Sequence, residues 1–322
     1  MNSKLLMIQG TSSGAGKSII VTALGRILTN RGFRVAPFKS QNMSSFTFKI
    51  KDSNKIIANA QAIQSLACKT NPNPNMNPIL LEPLGNNESN VYVNGDFFAK
   101  MKAQQYYSDF VLKTGFRLAL AAFKELQKDF DIILLEGAGS PAEINIQKYD
   151  IANMLFASTV KSPVILVSDI ERGGCFASIL GTMMLLKPSH QKLVKGIMIN
   201  KFRGDNEILA PAIKKIESKT KKPVLGIIPK IDHNIPQEDS LDGDNSHILD
   251  IGRQNRVKEK NRNKKTSYSK KIIKFIPSAS ASASADMFSF SHAILDQEID
   301  RFADMIESFI NFDYIMDKII IK

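Results

Sequence analysis

The chain has few of the residues that build disulfide frameworks and metal centres. Its 322 residues include two cysteines, Cys68 and Cys175, and four histidines. Two thiols cannot form a disulfide framework or a four-ligand zinc site, and the scattered histidines have no metal-site spacing. No apolar stretch approaches the roughly 20 residues of a membrane span, and residues 1–9 have no signal-peptide layout. We therefore expect a cytoplasmic protein with no membrane partner.

Acidic residues are fewer than basic ones, 31 against 43, and the difference is concentrated in one segment. The formal net charge is +12, which would indicate a nucleic-acid-binding protein if it covered one folded face. Most of the excess lies between Gly252 and Lys274, where ten lysines and arginines accompany one acid, Glu259. So polar a segment is typical of a solvated, disordered linker. We therefore predict no specific nucleic-acid partner.

Apolar strand-like runs alternate with helical patterns from residue 1 to about residue 240. The alternation predicts an α/β fold with a mostly parallel sheet flanked by helices. The predicted buried strands are Lys4–Gln9, Arg34–Phe38, Ile132–Glu136, Pro163–Ser168, Gly196–Asn200 and Val224–Ile228. The predicted helices are Lys17–Asn30, Ile57–Ala67, Ala103–Lys128 and Glu207–Ser218. Ligands of such sheets bind beyond the carboxyl ends of the strands.

Composition divides the chain into three predicted segments. Residues 1–241 carry the α/β pattern and form the main domain. Residues 242–290 are first basic and then alternate serine with alanine, which predicts a disordered linker. Residues 291–322 form a helical tail with one apolar face. The residues expected on that face are Ile294, Ile299, Phe302, Met305, Ile306 and Phe309.

The segment between the first strand and the first helix carries the strongest functional signal. It reads Gly-Thr-Ser-Ser-Gly-Ala-Gly-Lys-Ser from Gly10 to Ser18. Backbone N–H groups of such a loop bind phosphate oxygens, and its glycines permit close approach. Lys17 is expected to reach the outer phosphates, and the Ser18 hydroxyl to help hold Mg²⁺. The loop predicts binding of ATP or GTP, although five residues instead of the common four separate Gly10 from Gly16.

Polar side chains follow three further predicted strands. Glu136 ends one of them, where a carboxylate suits Mg²⁺. Lys39, Gln41 and Asn42 follow the second strand and suit phosphate or a polar substrate, although a solvated loop explains this segment equally well. Asn200 ends a later strand and can offer its amide to an adenine edge. All of these groups are expected to converge at one edge of the sheet.

Seven ordered motifs extend over the α/β region. They are Gly10–Ser18, Pro37–Met43, Met76–Pro78, Glu136–Asn145, Asp169–Gly174, Asn200–Asp205 and Glu238–Leu241. In this order they resemble the motifs of cobyric acid synthases, the cobalamin-pathway amidotransferases with a dethiobiotin-synthetase-like P-loop ATPase domain. The resemblance covers about residues 4–241, and Glu298–Asp304 is similar to the family's C-terminus. It identifies residues 1–241 as an ATP-binding synthetase domain.

The resemblance implies ATP-dependent amidation of corrin carboxylates, from adenosylcobyrinic acid a,c-diamide to adenosylcobyric acid. ATP and Mg²⁺ are the implied cofactors, because the γ-phosphoryl group converts a carboxylate into an acyl phosphate that ammonia attacks. The implied catalytic residues are Lys17, Lys39 and Glu136, the metal ligands Ser18 and Glu136, and the substrate-binding residues Gln41, Asn42 and Asp169. The implied nucleotide-binding residues are Gly10, Thr11, Gly14, Ala15, Gly16, Lys17, Ser18, Asn200 and Lys201.

The family normally carries a glutaminase domain between the synthetase domain and the tail. Here residues 242–290 occupy that place, and neither Cys68 nor Cys175 is expected to replace the glutaminase nucleophile. We therefore expect no glutamine hydrolysis. Ammonia would be free or would come from a separate glutaminase chain. The sequence also allows a homo-oligomer.

Three charged positions of the family differ on the presumed substrate side. Ile56 replaces an acid, Asn59 an arginine and Glu82 a lysine. These losses leave open a decayed, inactive synthase that still binds ATP. A nucleotide-switch ATPase is the other alternative, although Ser12 stands where such ATPases carry a second lysine.

Overall fold

The computed structural model of the chain describes residues 3–236 and 284–321. The strands are β1 Lys4–Gly10, β2 Val35–Phe38, β3 Gln41–Met43, β4 Thr47–Lys49, β5 Ile56–Ala58, β6 Ile79–Gly85, β7 Glu88–Val93, β8 Asp96–Lys102, β9 Ile132–Glu136, β10 Val164–Asp169, β11 Val194–Phe202 and β12 Val224–Pro229.

The helices include two π-helical segments and three short 3-10 turns. The α-helices are α1 Lys17–Asn30, α2 Asn59–Ala67, α3 Ala103–Gln105, α4 Phe116–Asp129, α5 Met154–Val160, α6 Cys175–Leu185, α7 Pro188–Gln191, α8 Ala210–Thr220, α9 Ser284–Ser308 and α10 Phe312–Tyr314. The π-helical segments are Tyr106–Gly115, between α3 and α4, and Ile315–Ile320 after α10. The 3-10 turns are Pro74–Met76, Gln147–Tyr149 and Asn206–Leu209. None of the helices in the described ranges has the length and apolarity needed to cross a membrane.

Six parallel strands form the main sheet, in the order β12-β11-β10-β1-β9-β2. Its central strands are buried on both faces because α1, α2 and α9 cover one face and α4 and α5 cover the other. Continuous apolar runs are what such doubly covered strands require. All six predicted strands are confirmed, with ends that differ by at most two residues. The predicted α/β class with a mostly parallel sheet and flanking helices is therefore confirmed.

A second sheet, in the order β3-β6-β7-β8, was not predicted from the sequence. Strand β3 runs parallel to β6, whereas β6, β7 and β8 are antiparallel neighbours. Strands β4 and β5 form a separate antiparallel pair. Because β3 follows β2 after a short connection, this sheet fixes Gln41 and Asn42 beside the main sheet.

The predicted helices are confirmed with shifted ends. Helix α1 has the predicted bounds, whereas α2 begins at Asn59 because the preceding residues, Ile56–Ala58, form strand β5. The predicted helix Ala103–Lys128 is an unbroken helical stretch whose middle, Tyr106–Gly115, is π-helical. The predicted Glu207–Ser218 begins as a 3-10 turn and continues as α8.

The C-terminal helix α9 packs against α1 and α2. It begins at Ser284, before the predicted start of the tail at residue 291, because that prediction used only the region of regular apolar spacing. Ile299, Phe302 and Ile306 are buried as predicted. Phe309 is exposed instead, because α9 ends at Ser308. The predicted linker 242–290 lies outside the described residues except for its last part, 284–290, which belongs to α9.

A buried arginine joins α9 to α1. Arg26 is fully buried and forms ion pairs with Asp296 and Asp300 of α9, the second at 2.9 Å. Its guanidinium also donates to the carbonyl oxygens of Leu66 and Ala67 at the end of α2, at 3.1 and 2.8 Å. We refer to these five residues as the Arg26 cluster. It holds three helices together on the face of the sheet that α1 covers.

Candidate functional site

The loop between β1 and α1 has the geometry of a phosphate-binding loop. Gly14 and Gly16 both have left-handed backbone conformations, with φ of +69° and +97°. A Cβ atom at Gly16 would also lie 2.0 Å from the side-chain nitrogen of Asn200, so this position accepts only glycine. The Lys17 ammonium lies inside the loop and donates to the carbonyl oxygens of Ser12 and Gly139, at 3.0 and 3.1 Å.

The carboxylate of Glu136 is the centre of a buried polar cluster at the carboxyl end of β9. Its Oε1 accepts hydrogen bonds from the Ser18 hydroxyl at 2.8 Å and the Lys39 ammonium at 2.9 Å. Its Oε2 accepts a hydrogen bond from the Gln64 amide at 2.5 Å. The Glu136 side chain is fully buried and that of Lys39 is only 4% exposed. We call these four residues the Glu136 cluster; they come from α1, the β2–β3 connection, α2 and β9.

The Glu136 cluster has the donor chemistry that Mg²⁺ requires. Mg²⁺ prefers hard oxygen ligands and is commonly held by one or two protein groups together with substrate phosphates. The Ser18 hydroxyl and the Glu136 carboxylate are already in contact beside the phosphate-binding loop. In the described part of the chain, no group of three or more histidine, cysteine, aspartate or glutamate side chains is arranged to hold a metal ion. The residues therefore fit a metal that is bound together with phosphate groups.

A chain of three buried amides connects Glu136 with the predicted substrate residues. Asn42 donates to the Gln61 carbonyl at 3.0 Å, and Gln61 donates to the Gln64 carbonyl at 3.3 Å. Gln64 then donates to Glu136, as described above. We call Asn42, Gln61 and Gln64 the amide chain. The neighbouring Gln41 accepts a hydrogen bond of 2.7 Å from the Tyr106 hydroxyl.

The other predicted nucleotide-binding residues lie on the opposite side of the loop. Asn200 donates to the carbonyl oxygen of Ala15 at 3.0 Å, and its own Oδ1 accepts from the Lys201 backbone, so both ends of its amide are engaged. The Lys201 ammonium contacts the Gly14 carbonyl at 2.8 Å and the Asp169 carboxylate at 2.9 Å. These residues support the loop from the ends of β10 and β11.

Asp169 and the pair Gln41–Asn42 lie on different sides of the phosphate-binding loop. Asp169 ends β10, whereas Gln41 and Asn42 follow β2, and strands β1 and β9 lie between β10 and β2. At a strand spacing of about 4.8 Å, the two ends are roughly 14 Å apart. The structure therefore brings Lys17, Ser18, Lys39, Glu136 and Asn42 to one side of the site, with Asp169 and Lys201 on the other.

Gly10 and Thr11 lie where the phosphate-binding loop leaves β1. The Thr11 hydroxyl is 2.9 Å from that of Ser168 on the neighbouring strand β10. A Cβ atom at Gly10 would lie 2.9 Å from the carbonyl oxygen of Ser12 in the same loop. The start of the loop is therefore closely packed and tied to the sheet.

Both cysteines have environments that disfavour the reactive thiolate. Burial raises the pKa of the Cys68 thiol to about 12. Burial also raises the pKa of the Cys175 thiol, and Asp169 adds to the effect. A nucleophilic cysteine instead needs a lowered pKa and an accessible sulfur.

The charge that Glu82 introduces is accommodated within the second sheet. Its carboxylate accepts hydrogen bonds of 3.0 Å from the Asn90 amide and the Tyr92 hydroxyl on the adjacent strand β7. Burial, followed by the hydrogen bond to Glu82, raises the pKa of Tyr92. Glu82 therefore has a structural role in this sheet.

Three residues that contact the predicted site were not predicted from the sequence. Gln61 and Gln64 lie on α2, where their polarity stands out in a helix otherwise rich in alanine and apolar residues. Tyr106 begins the π-helical segment and is almost fully buried. The available signal was weak: the two glutamines are three positions apart, which places them on one face of a helix.

Comparison with known proteins gives consistent results. The family described as the CobQ/CobB/MinD/ParA nucleotide binding domain matches residues 6–240. A probable cobyric acid synthase of Thermococcus kodakarensis is 49% identical over 238 residues, 74% of this chain and 49% of that protein. The cobyric acid synthase of Dehalococcoides mccartyi strain 195 is 49% identical over 241 residues, 74% of this chain and 47% of that protein. These matches confirm the resemblance that the ordered motifs indicate.

The matched relatives are longer than this chain, which spans about half of their length. Among solved structures, the signal recognition particle receptor FtsY of Elizabethkingia anophelis in complex with GDP has a TM-score of 0.42 and 14% identity, covering 70% of this chain and 57% of that one.

Proposed function

The chain belongs to the CobQ/CobB/MinD/ParA nucleotide binding domain family, and from that premise we propose that it is the ATP-dependent synthetase part of a cobyric acid synthase. The substrate would be the carboxylate side chains of an adenosylated corrin diamide, and the product their primary amides. The observation that supports this proposal best is the Glu136 cluster, where separate elements bring Ser18, Lys39 and Glu136 together beside the phosphate-binding loop.

The phosphate-binding loop would hold the nucleotide. Its backbone N–H groups and the start of α1 suit phosphate oxygens. Lys17 donates to the carbonyl oxygens of Ser12 in this loop and of Gly139 after β9, and would exchange these contacts for the outer phosphates of ATP. Asn200 and Lys201 would keep the loop in shape through their contacts with Ala15 and Gly14.

Ser18 and Glu136 would hold Mg²⁺, which offsets negative charge on the phosphate groups when it is bound. Lys39 would face the same phosphate groups and stabilise the charge that moves during transfer. Its burial strengthens this effect, because an ammonium group in a dry site is only weakly screened. Gln41 and Asn42 would position the substrate carboxylate on this side of the loop.

The reaction joins a carboxylate oxygen of the substrate to the γ-phosphorus of ATP and releases ADP. Ammonia then attacks the acyl carbon, phosphate leaves, and the nitrogen loses a proton to give the amide. No protein nucleophile is needed. The raised pKa of Cys68, which burial causes, argues against a glutaminase thiol in the described residues. We propose that ammonia is free or comes from a separate chain.

The test is a turnover assay with the purified chain, ATP, Mg²⁺ and ammonium, with and without the adenosylated corrin diamide. Corrin products are followed by mass, since each replacement of a hydroxyl by an amino group gives a defined mass change. We expect corrin-dependent ADP formation with ammonium and none with glutamine alone. Lys17→Ala serves as the matched variant and should abolish turnover.

Nucleotide binding without corrin-dependent turnover would contradict the synthetase assignment and favour a decayed synthase. Nucleotide hydrolysis that depends on a protein partner instead of corrin would favour a switch ATPase. In either case Ile56, Asn59 and Glu82, where charges of the family are lost or reversed, are the first positions to restore.

A further inference from the structure

The proposed function uses Ser18 and Lys39 beside Glu136 but gives no role to Gln64, which donates to the same carboxylate. We propose that Gln64 is a positioning residue, which fixes the Glu136 carboxylate for Mg²⁺ and couples it through the amide chain to Asn42 on β3. The proposal rests on the proposed function and deepens it.

The carboxylate sets the direction of every hydrogen bond in the amide chain. Ionised Glu136 can only accept, so Gln64 must present its amino group to Oε2. The carbonyl of Gln64 is then directed to Gln61, which donates to it, and the carbonyl of Gln61 accepts from Asn42. One charge therefore orients three amides in the same sense.

The position of Gln64 matches a holding role. Ser18 and Lys39 both donate to Oε1 of Glu136, whereas Gln64 donates to Oε2. Donors on both oxygens fix the plane of a carboxylate, which otherwise rotates about its last torsion. Gln64 also lies 3.4 Å from the backbone oxygen of Ser18, so it contacts the elements that carry both predicted metal ligands.

Burial gives the amide chain its strength. Gln61 and Gln64 are at most 1% exposed and Asn42 is 3% exposed, so water competes weakly for these hydrogen bonds. A buried amide that loses its partner leaves unsatisfied polar atoms, which is costly. A displacement of Asn42 by substrate is therefore transmitted to Glu136 instead of being absorbed by solvent.

The test measures nucleotide binding by calorimetry over a range of Mg²⁺ concentrations. Gln64→Met keeps the length and volume of the side chain but removes its hydrogen bonds. We expect the half-saturating Mg²⁺ concentration to rise about tenfold, which is the effect of losing one hydrogen bond to a charged group. Binding of nucleotide without Mg²⁺ should stay unchanged.

Gln191→Met is the matched control. The Gln191 amide donates to the carbonyl oxygens of Met183 and Leu186 at the end of α6, at 2.8 and 2.9 Å. This variant should lower the thermal stability without changing the Mg²⁺ dependence. If Gln64→Met does not fold, Gln64→Asn replaces it, because it keeps an amide but is one methylene too short to maintain the contact, and the same direction is expected.

Asn42→Ala tests the coupling. Alone it should raise the half-saturating Mg²⁺ concentration roughly two- to threefold, in line with the loss of a neutral hydrogen bond. Combined with Gln64→Met it should add nothing, because the path to Glu136 is already broken.

Two results would overturn the proposal for Gln64 and leave the proposed function standing. One is an unchanged Mg²⁺ dependence in Gln64→Met, and the other is fully multiplicative effects of the two substitutions in the double variant. Absence of Mg²⁺-dependent nucleotide binding by the unaltered chain would overturn the proposed function as well.

Discussion

Two buried charge clusters stand on the same helix, and they differ in what surrounds them. The Arg26 cluster lies in the second half of α1 and joins a cation to carboxylates and carbonyls of two other helices. The Glu136 cluster lies at the start of α1 and groups a carboxylate with a hydroxyl, an ammonium and an amide. Both contain a fully buried charged side chain.

Burial of charge therefore does not identify a functional site by itself. The Arg26 cluster includes two carboxylates of α9 and lies away from the phosphate-binding loop. Its contacts are typical of structural stabilisation. The Glu136 cluster lies at the carboxyl end of a parallel strand and next to a loop whose N–H groups can bind an anion. The two clusters are therefore distinguished by their position in the sheet and by the phosphate-binding loop, which lies next to the Glu136 cluster.

Among substitutions of the two buried charged residues, the largest effect is expected from Glu136→Gln. We expect turnover to fall by roughly 10²- to 10³-fold, because charge stabilisation by a bound metal contributes several kcal/mol. Thermal stability is measured in parallel, since Lys39 loses its buried counter-ion. Turnover within about twofold of the unaltered chain would make Glu136 structural, like Arg26.

The next effect is expected from Arg26→Leu, which should separate stability from binding. The free energy of unfolding should fall by about 3 kcal/mol, at the lower end for a broken buried ion pair. The reason for the modest value is that Asp296 and Asp300 are 39% and 41% exposed and regain water. Chemical denaturation measures the loss, and nucleotide affinity of the folded fraction should not change. A weaker nucleotide affinity in Arg26→Leu would mean that the Arg26 cluster also contributes to nucleotide binding, which would contradict the distinction between the two clusters.

Asp150 provides a half-buried carboxyl group and a pH-dependent effect on stability. Burial raises its pKa to about 6, with Glu143 contributing, although hydrogen bonds from Asn153 and the Ala152 backbone oppose the rise. A raised pKa in the folded state means that its stabilising contribution is complete below about pH 4 and is lost as the pH rises through 6. The loss amounts to roughly 3 kcal/mol for a shift of about two units.

Asp150→Asn should remove this part of the pH dependence. The difference in unfolding free energy between variant and unaltered chain should grow in favour of the variant from pH 4 to pH 7. Neighbouring Tyr107 titrates far above this range, since burial and Asp150 raise its pKa. A difference that stays constant across the range would mean that Asp150 ionises normally in the fold.

The main sheet could be predicted from the sequence because each of its strands is a continuous apolar run. Val164–Asp169 and Ile132–Glu136 are buried on both faces of the sheet. Such strands need apolar residues at successive positions, and the sequence of each strand has them. The second sheet is half exposed, and its strands mix apolar with charged residues, as Asp96–Lys102 does. The Asn94-Gly95 turn, both residues with positive φ, was the local signal for its hairpin.

The site residues could be predicted where a polar side chain lies at the end of a strand or in a glycine-rich loop. Lys17, Ser18 and Glu136 lie together in the structure for that reason. Gln64 was not predictable in the same way, because a glutamine on an amphipathic helix is usually solvated. Only the packing of α2 against α1 and β2 shows that it reaches Glu136.

The most direct test of the account is calorimetric titration of ATP with Mg²⁺ into the unaltered chain, Lys17→Ala and Arg26→Leu. We predict binding by the unaltered chain, a loss of affinity of about 100-fold in Lys17→Ala, and unchanged affinity in the folded fraction of Arg26→Leu. Equal affinities of the unaltered chain and Lys17→Ala would contradict the assignment of the loop and the Glu136 cluster as the nucleotide site.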